Sequence, residues 1–238
     1  MARLAASGDK VEGSATISPA GDYSLFGWVR SDHIPGSAYN EDWWTNSSAL
    51  GWHSCVWNHT DVSFQKCIAH RGGGGWYSAK TTSSLSADTW YAFGGSYNAA
   101  TQDLQVWLNG VNEATTASVP NNTDSAAVMR VFHSAIGITA AWCARWNVVL
   151  AANEWLALYR GVPPWRIRPA ALQVCIPLWG LHSPEIDLSA NSDTAAVTGT
   201  TLANGPPVTL FTPKIVAWVE AAAGVSTRQY RLLTMGAS

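Results

Sequence analysis

The chain has 238 residues, of which 47% are hydrophobic and only 13% are charged, and its formal net charge at pH 7 is −2. So much apolar material suffices for the core of one large β domain or of two small ones. The charge balance shows no sign of nucleic-acid binding, which requires a basic patch, and no apolar run approaches the length of a membrane-spanning helix. The low charge density favours a protein that works within an assembly.

The first third of the chain predicts short strands joined by polar connections. We expect these strands at Val11–Thr16, Tyr23–Arg30, Trp52–Trp57 and Val62–His70. In the second of them, the Trp28 side chain is expected to face the core.

Two connections in this part of the chain differ from ordinary turns. Ser31–Gly51 is a long polar and aromatic connection, and connections of such length are either functional or flexible. Arg71–Tyr77 contains four consecutive glycines, but neither a Lys-Ser/Thr pair nor a helix follows. It therefore predicts a flexible hairpin tip and not a phosphate-binding loop.

The clearest local pattern lies in Asp88–Val111. Leu104–Leu108 alternates apolar and polar residues with period two, as a half-buried strand does. Asn109-Gly110 follows directly and is the pair typical of a type I′ turn, because both residues tolerate positive φ. Gly94-Gly95 interrupts the preceding aromatic strand, which indicates a bend or a close backbone approach.

The second half predicts further strands around a single helix. We expect strands at Val128–His133, Ala135–Trp142, Ala144–Val149, Ala171–Trp179, Thr194–Leu202 and Val208–Phe211. The helix is expected at Ala152–Arg160, where Trp155, Leu158 and Tyr159 recur at helical spacing and Gly161 is placed for a C-terminal cap.

Several of these segments carry a family resemblance. The pattern W-Y-A-F, a polar turn and L-Q-V-W-L-N-G within Asp88–Val111 resembles the laminin-G-like, concanavalin A-type jelly roll. The resemblance continues in Ala135–Ile138 and in the A-R-W-N-V-V-L-A-A-N-E run of Ala144–Glu154. Gly161–Pro169, Pro177–Gly180 and Asp187–Ser189 are similar to a version of this domain that is common in bacteriophage and prophage proteins. The match extends from Gly21 to Pro213.

The resemblance implies an all-β sandwich of two antiparallel sheets with one short helix. We therefore expect a jelly-roll domain over residues 1–213 and a C-terminal arm over residues 214–238. The arm keeps apolar side chains, among them Trp218, Tyr230 and Leu232, which suit packing on a neighbouring chain or on a sheet edge. The alternative for its first part is a short helix at Ile215–Ala223.

Residue patterns for catalysis or metal binding are incomplete. Glycosidases of the resembled fold class carry paired acidic residues on one strand, and Glu185-Ile186-Asp187 begins such a pattern without the second glutamate. The six histidines lack metal-binding spacing, and the four cysteines, which lack CxxC spacing, favour buried free thiols. We therefore predict no catalytic residue, no metal and no cofactor, and a protein that is not an enzyme.

The candidate contact residues are aromatic and acidic. Asp42, Trp43 and Trp44 combine the chemistry of a sugar site with that of a protein-binding hot spot, and Trp76 and Tyr77 add to either. From the sequence alone we rank protein contact ahead of sugar binding.

Together these features predict a non-enzymatic virion structural protein, a capsid decoration or a fibre or tail component, that acts by protein–protein adhesion. Its expected partners are further copies of itself and a major capsid or other virion protein. The expected location is the virion surface, reached from the host cytoplasm without a signal peptide. The alternative is a lectin-like module that binds host-surface glycans.

Overall fold

The computed structural model of the protein describes residues 1–36, 40–47, 53–62, 65–134, 136–180, 183–191 and 194–208. The predicted arm over residues 214–238, with Trp218, Tyr230 and Leu232, lies outside the described residues, as does most of the predicted strand Val208–Phe211. Within the described residues, no helix is long and apolar enough to cross a membrane.

The described residues form two antiparallel sheets of eight strands each. The strands are β1 (Ala2–Leu4), β2 (Lys10–Ile17), β3 (Tyr23–Ser31), β4 (Glu41–Ser47), β5 (His53–Asn58), β6 (Cys67–Gly72), β7 (Gly75–Lys80), β8 (Tyr91–Asn98), β9 (Asp103–Leu108), β10 (Val111–Thr116), β11 (Ala127–Val131), β12 (Ile138–Trp146), β13 (Leu172–Ile176), β14 (Glu185–Ile186), β15 (Thr194–Thr198) and β16 (Thr201–Ala203). The α-helix, α1, spans Ala152–Tyr159, and short 3-10 turns follow at Pro164–Arg166 and Pro169–Ala171. The predicted all-β jelly-roll sandwich with one short helix is confirmed.

The strand order brings distant parts of the chain together. The first sheet runs β10-β9-β8-β3-β12-β1-β16, with β13 paired to the second half of β12. The second sheet runs β14-β15-β2-β11-β4-β5-β6-β7. The inner faces of the two sheets meet in the main core, and the outer face of the first sheet is covered by α1 and the residues that follow it.

Strand β3 shows how the first sheet is buried on both faces. Tyr23, Leu25 and Val29 pack in the main core between the sheets. Phe26 and Trp28 alternate with them and pack on the opposite face, where Trp28 stacks on Tyr159, the last residue of α1. The expectation that Trp28 faces the sandwich core is therefore wrong, because a strand covered on both sides is apolar on both sides.

The predicted turn chemistry is confirmed around β8, β9 and β10. Asn109 and Gly110 have φ of 50° and 81°, as a type I′ turn requires. Gly94 is a close backbone approach, because a β-carbon there would overlap the Leu25 carbonyl oxygen. The four-glycine segment forms the tip between β6 and β7, with positive φ at Gly73 and Gly74.

Several predicted element boundaries need correction, and the strand expected at Val62–His70 begins at Cys67 as β6. The long connection Ser31–Gly51 contains the strand β4. The strands expected on either side of Cys143 are one strand, β12, in which a bulge with Trp142 at φ 55° breaks the alternation. The strand expected at Thr194–Leu202 turns at Gly199 and contributes β15 to one sheet and β16 to the other.

A group of polar and aromatic side chains is buried between the sheets at one end. The Tyr23 ring stacks on His53 at 3.8 Å between centroids, and His70 stacks on Tyr97 at 4.3 Å. The Tyr23 hydroxyl lies 3.1 Å from Nδ1 of His70. The guanidinium of Arg145 lies 5.8 Å from the Tyr23 ring centroid, and its Nη2 donates to the Ser18 carbonyl oxygen. Burial lowers the pKa of Arg145 to about 10.

All four cysteines are free and buried, which confirms that expectation; they are Cys55, Cys67, Cys143 and Cys175. Burial raises the pKa of each thiol well above its ordinary value. They therefore behave as small apolar side chains.

Candidate functional site

The two adjacent tryptophans predicted as a contact surface lie inside the molecule. Trp43 and Trp44 are both 0% exposed. A bulge in β4 between Asp42 and Trp44 breaks the in-and-out alternation, so that both indole rings enter the main core. Trp43 packs edge-on against Phe93, and Nε1 of Trp44 donates to the Ala144 carbonyl oxygen at 3.3 Å. Their assignment to a contact surface is therefore wrong.

The other three predicted contact residues do not form one surface. Trp76, on the edge strand β7, is 42% exposed, whereas Tyr77 is half-buried against the main core. Asp42 is half-buried on β4, three strands away in the sheet order β4-β5-β6-β7. At about 4.8 Å per strand this separation is about 14 Å, so Asp42 and Trp76 belong to different parts of one face.

The outer face of the second sheet carries a charged network that the sequence analysis missed. Glu12 on β2 accepts a hydrogen bond from Nε of Arg130 on β11 at 2.6 Å, and a second from Nη2. Nη1 of Arg130 lies 2.8 Å from Nδ1 of His133. Asp42 is next in this series, since its charge interacts with His133. We call Glu12, Arg130, His133 and Asp42 the outer-face network.

The local environments shift the pKa values of the two carboxylates of this network in opposite directions. Burial opposes ionisation of Glu12, but the hydrogen bonds and charge of Arg130, with the charge of Lys10, hold its pKa below the usual value. Burial raises the pKa of Asp42, although His133 acts against this. Burial also lowers the pKa of His133. The ring is therefore neutral at pH 7, and its Nδ1 can accept a hydrogen bond from Arg130. At neutral pH the network therefore carries an ionised Glu12.

An open groove borders the network. Its volume is about 490 Å³, and it is lined by Glu12, Gly13, Ser14, Ser183, Pro184, Thr194, Ala196 and Val197. These residues come from β2, β15 and the segment that leads into β14. A volume of this order lies within the range of small-ligand sites. The pocket lined by Met129 and Val174, by contrast, holds about 10 Å³ and has room for little more than a water molecule.

The acidic pair that resembles a glycosidase motif serves the structure. Glu185 is buried and accepts hydrogen bonds from Nε of Arg3 at 2.6 Å and from the backbone N–H of Gly180 at 2.8 Å. Asp187 accepts the backbone N–H groups of Cys175 and Ser189, both at 2.8 Å. These bonds tie β1 to β14 and close the free edge of β13.

No metal centre is found in the part of the chain that the structure describes, where no three His, Cys, Asp or Glu side chains are grouped to hold an ion. Asp32, His33 and Glu41 lie near one another. Nδ1 of His33 lies 2.7 Å from Asp32 and Nε2 lies 2.8 Å from Glu41. Burial alone would lower the pKa of His33, but the bonds to Asp32 and Glu41 raise it.

The fold is that of a jelly-roll sandwich, the class to which lectin-like and pentraxin domains belong. No protein-family model and no curated protein matches the sequence. Among solved structures, the chain is similar to a candidate carbohydrate-binding protein from Bacteroides ovatus, with 12% identity and a TM-score of 0.61 over 84% of this chain. This chain spans 58% of the length of that protein.

A second similar structure is the native heptameric SAP-like pentraxin from Limulus polyphemus. It shares 9% identity and a TM-score of 0.54, over 81% of this chain and 90% of the pentraxin chain. At these identities the likeness establishes the fold, and the function must be argued from the surface of the chain itself.

Sequence reasoning missed Glu12 and Arg130 because their pairing spans 118 positions of the chain. A partial signal was present: Lys10, Glu12 and Ser14 alternate with Val11 and Gly13, which marks the polar face of β2. Nothing in the local pattern of β11 indicates which carboxylate Arg130 meets.

Proposed function

We propose that this chain is a non-enzymatic, lectin-like adhesion module that binds a glycan on the outer face of its second sheet. The observation that carries the proposal is the outer-face network beside an open groove of about 490 Å³. Saccharides are recognised by placed carboxylates and hydroxyl groups that exchange hydrogen bonds with sugar hydroxyls. The jelly-roll fold of the Bacteroides ovatus protein, described as a candidate carbohydrate binder, agrees with this choice.

The burial of Trp43 and Trp44 reverses the ranking that the sequence favoured. Protein contact ranked first because two adjacent tryptophans suit an interface hot spot. With both indoles in the core, they contribute to folding and offer no anchor to a partner. The polar outer face then becomes the better-supported contact surface.

The non-enzymatic part of the proposal is supported by the roles of Glu185 and Asp187. Both carboxylates already accept hydrogen bonds from the protein and hold strands together. A glycosidase needs one carboxyl to donate a proton and another to attack or activate water, and both must reach the substrate.

A glycan array tests the proposal. The purified chain is expected to bind at least one class of glycan, and Arg130→Gln is expected to weaken this binding about tenfold, because Arg130 holds the Glu12 carboxylate. Asp88→Asn, on a surface loop away from this face, serves as the control. An array on which the unmodified chain binds nothing contradicts the proposal, and so does release of reducing ends from a bound glycan.

A second candidate is the virion structural role, in which this chain adheres to copies of itself and to a capsid protein. The exposed Trp76, opposite Arg71 at the edge of the second sheet, favours it, because tryptophan and arginine are enriched in protein interfaces. Trp76→Ala is expected to weaken binding to viral particles without unfolding the chain. Undiminished particle binding by this variant would count against the candidate.

A further inference from the structure

His133 reaches the outer face of the second sheet because the backbone breaks the alternation of side chains just before it. Val131 and Phe132 are consecutive, yet both side chains lie in the main core. Phe132 has a φ of 65°, a left-handed conformation that bulky residues seldom adopt. The backbone N–H of His133 then donates to the Asp42 carbonyl oxygen at 3.0 Å. The His133 ring therefore returns to the face that carries Arg130, and its position is built into the backbone.

The contact between Arg130 and His133 admits only one protonation state of the imidazole. Nη1 of Arg130 lies 2.8 Å from Nδ1 of His133. A guanidinium has hydrogen-bond donors only, so Nδ1 must offer its lone pair, and the proton of the neutral ring is then on Nε2. A protonated imidazole carries a proton on both nitrogens and cannot accept this hydrogen bond. Protonation of His133 therefore breaks the contact and places two like charges side by side.

The Arg130 side chain is held from two sides while His133 is neutral. Nε and Nη2 donate to Oε2 of Glu12, with Nε at 2.6 Å, and Nη1 donates to His133. Loss of the bond to His133 leaves the hydrogen bonds to Glu12 as the remaining ones of this side chain among the described residues. Arg130 and Glu12 are 20% and 28% exposed, so that a ligand on the outer face can contact the pair.

We infer that His133 is a pH-sensitive switch of the outer-face network, in which protonation of the ring releases Arg130 and weakens the binding of a glycan. The inference rests on the proposed function and adds the regulation of the same site. Binding is strongest when the ring is neutral and Arg130 is held by both His133 and Glu12. A glycan bound at neutral pH is therefore released in a mildly acidic medium.

The charged side chains around His133 determine where the switch operates. Among the described residues they are Lys10 and Glu12 on β2, Arg130 on β11 and Asp42 on β4. Burial lowers the pKa of His133, and the positive charges of Arg130 and Lys10 act in the same direction. The negative charges of Asp42 and Glu12 act against them, but the pKa stays below its ordinary value of 6.5. The ring is therefore neutral at pH 7 and takes up its proton in acid.

The glycan affinity of the full chain between pH 7 and pH 5 tests this inference, with a glycan that the array identifies at pH 7. The affinity is expected to fall as the pH drops, by up to about tenfold per pH unit, the limit when one proton depletes the binding-competent state. His133→Asn keeps an acceptor for Arg130 but gains no proton in this range. The affinities of this variant at pH 7 and pH 5 are therefore expected to be equal, whatever their value.

NMR of the unmodified chain gives a second measurement that does not depend on a variant. The ring C–H signals of His133 and the Nε–H signal of Arg130 are expected to shift with a common midpoint as the pH is lowered, because protonation of the first breaks a hydrogen bond of the second. An Arg130 signal that does not follow the titration of His133 overturns the inference.

His70→Gln is the matched control, because His70 is buried between the sheets and lowers the stability of the fold in acid. This variant is expected to keep the pH dependence of binding, and circular dichroism verifies that each protein is folded at each pH. A fall in affinity that His133→Asn retains, or that His70→Gln abolishes, overturns the inference and leaves the lectin-like function standing. Equal affinity of the unmodified chain at pH 7 and pH 5 also overturns only the inference. An array without any binding at pH 7 overturns both.

Discussion

The indole ring of Trp43 lies directly against the backbone of Gly27 in the facing sheet. A β-carbon placed on Gly27 would come within 2.8 Å of Cζ3 of Trp43, closer than real β-carbons approach other atoms. The absence of a side chain at Gly27 thus makes room for Trp43 between the sheets. Trp43 is therefore buried between the sheets, although polar residues precede it in the sequence.

We predict that Trp43→Ala destabilises the fold by about 3–5 kcal/mol, because it leaves a large cavity in the core. Gly27→Ala is expected to destabilise it by about 1–3 kcal/mol, because the added methyl overlaps the indole. Urea unfolding followed by circular dichroism measures both. Trp76→Ala, at an exposed position, is the control and should change stability by less than about 0.5 kcal/mol. If Trp43→Ala matched this control, the buried placement of Trp43 would be contradicted.

The second prediction concerns the buried ion pair of Arg3 and Glu185, whose side chains are 7% and 0% exposed. Glu185→Ala leaves the Arg3 guanidinium buried without its carboxylate and is expected to destabilise the fold by about 3 kcal/mol or more. Asp88→Asn removes the charge from the exposed pair with Arg30 and is expected to cost about 1 kcal/mol or less. Urea unfolding of the two variants side by side tests this, and equal effects would contradict it.

A second substitution at this position, Glu185→Gln, tests the absence of catalysis. No release of reducing sugar from β-glucans is expected from the unmodified chain, so that nothing is lost on substitution. Activity that disappears in a folded Glu185→Gln protein would show that the carboxylate is catalytic.

The third prediction is a loss of stability in acid. Burial lowers the pKa of His70 from 6.5 to about 4, and burial also lowers that of His53 well below its ordinary value. Between pH 6.5 and about 4 the unfolded chain binds a proton at His70 that the folded chain does not. The free energy of unfolding therefore falls as the pH drops through this range. For His70 alone the full effect is about 3 kcal/mol.

A His70→Gln variant isolates this contribution, because glutamine keeps hydrogen-bonding groups without a proton to gain in this range. The raised pKa of His33 acts in the opposite direction, since its stabilising contribution is present below pH 6.5 and lost as the pH rises through its folded value. Urea unfolding at pH 7 and pH 5 should therefore show a smaller acid loss in His70→Gln than in the unmodified chain. Identical losses would rule out His70 as the source.

The fourth prediction concerns the arm over residues 214–238. Truncation after Pro213 is expected to leave a folded β domain, because the strands of both described sheets precede that residue. Self-association or particle attachment is expected to be impaired, since Trp218, Tyr230 and Leu232 are lost. Circular dichroism and sizing of the shortened chain test this. Truncation after Ile186, which removes β15 and β16, is expected to prevent folding, and unfolding of both truncations alike would place the arm in the core.

The sequence by itself determined the features that depend on neighbouring residues. Alternation in Leu104–Leu108 identified β9, and Asn109-Gly110 identified its turn, because side-chain direction and positive φ are local properties. Helical spacing identified α1 within one residue of its observed end. Together with the family resemblance, these were enough to predict an all-β sandwich with a single helix.

Only the tertiary structure decided which side chains face inward. In β4 a bulge between Asp42 and Trp44 places Trp43 and Trp44 on the same side, and alternation cannot reveal such a change of parity. In β3 both faces are covered, so that the pattern around Trp28 is apolar on either side and does not say which side is the core.

The candidate site depends on tertiary structure for the same physical reason. Glu12 and Arg130 meet because β2 and β11 are neighbours in the second sheet, and the groove forms where β15 joins them. Strand pairing over such distances is set by the packing of the whole sandwich and leaves no mark on either strand alone. The sequence therefore supplied the polar side chains of β2, and only the folded sheet brought them together with Arg130 into a binding surface.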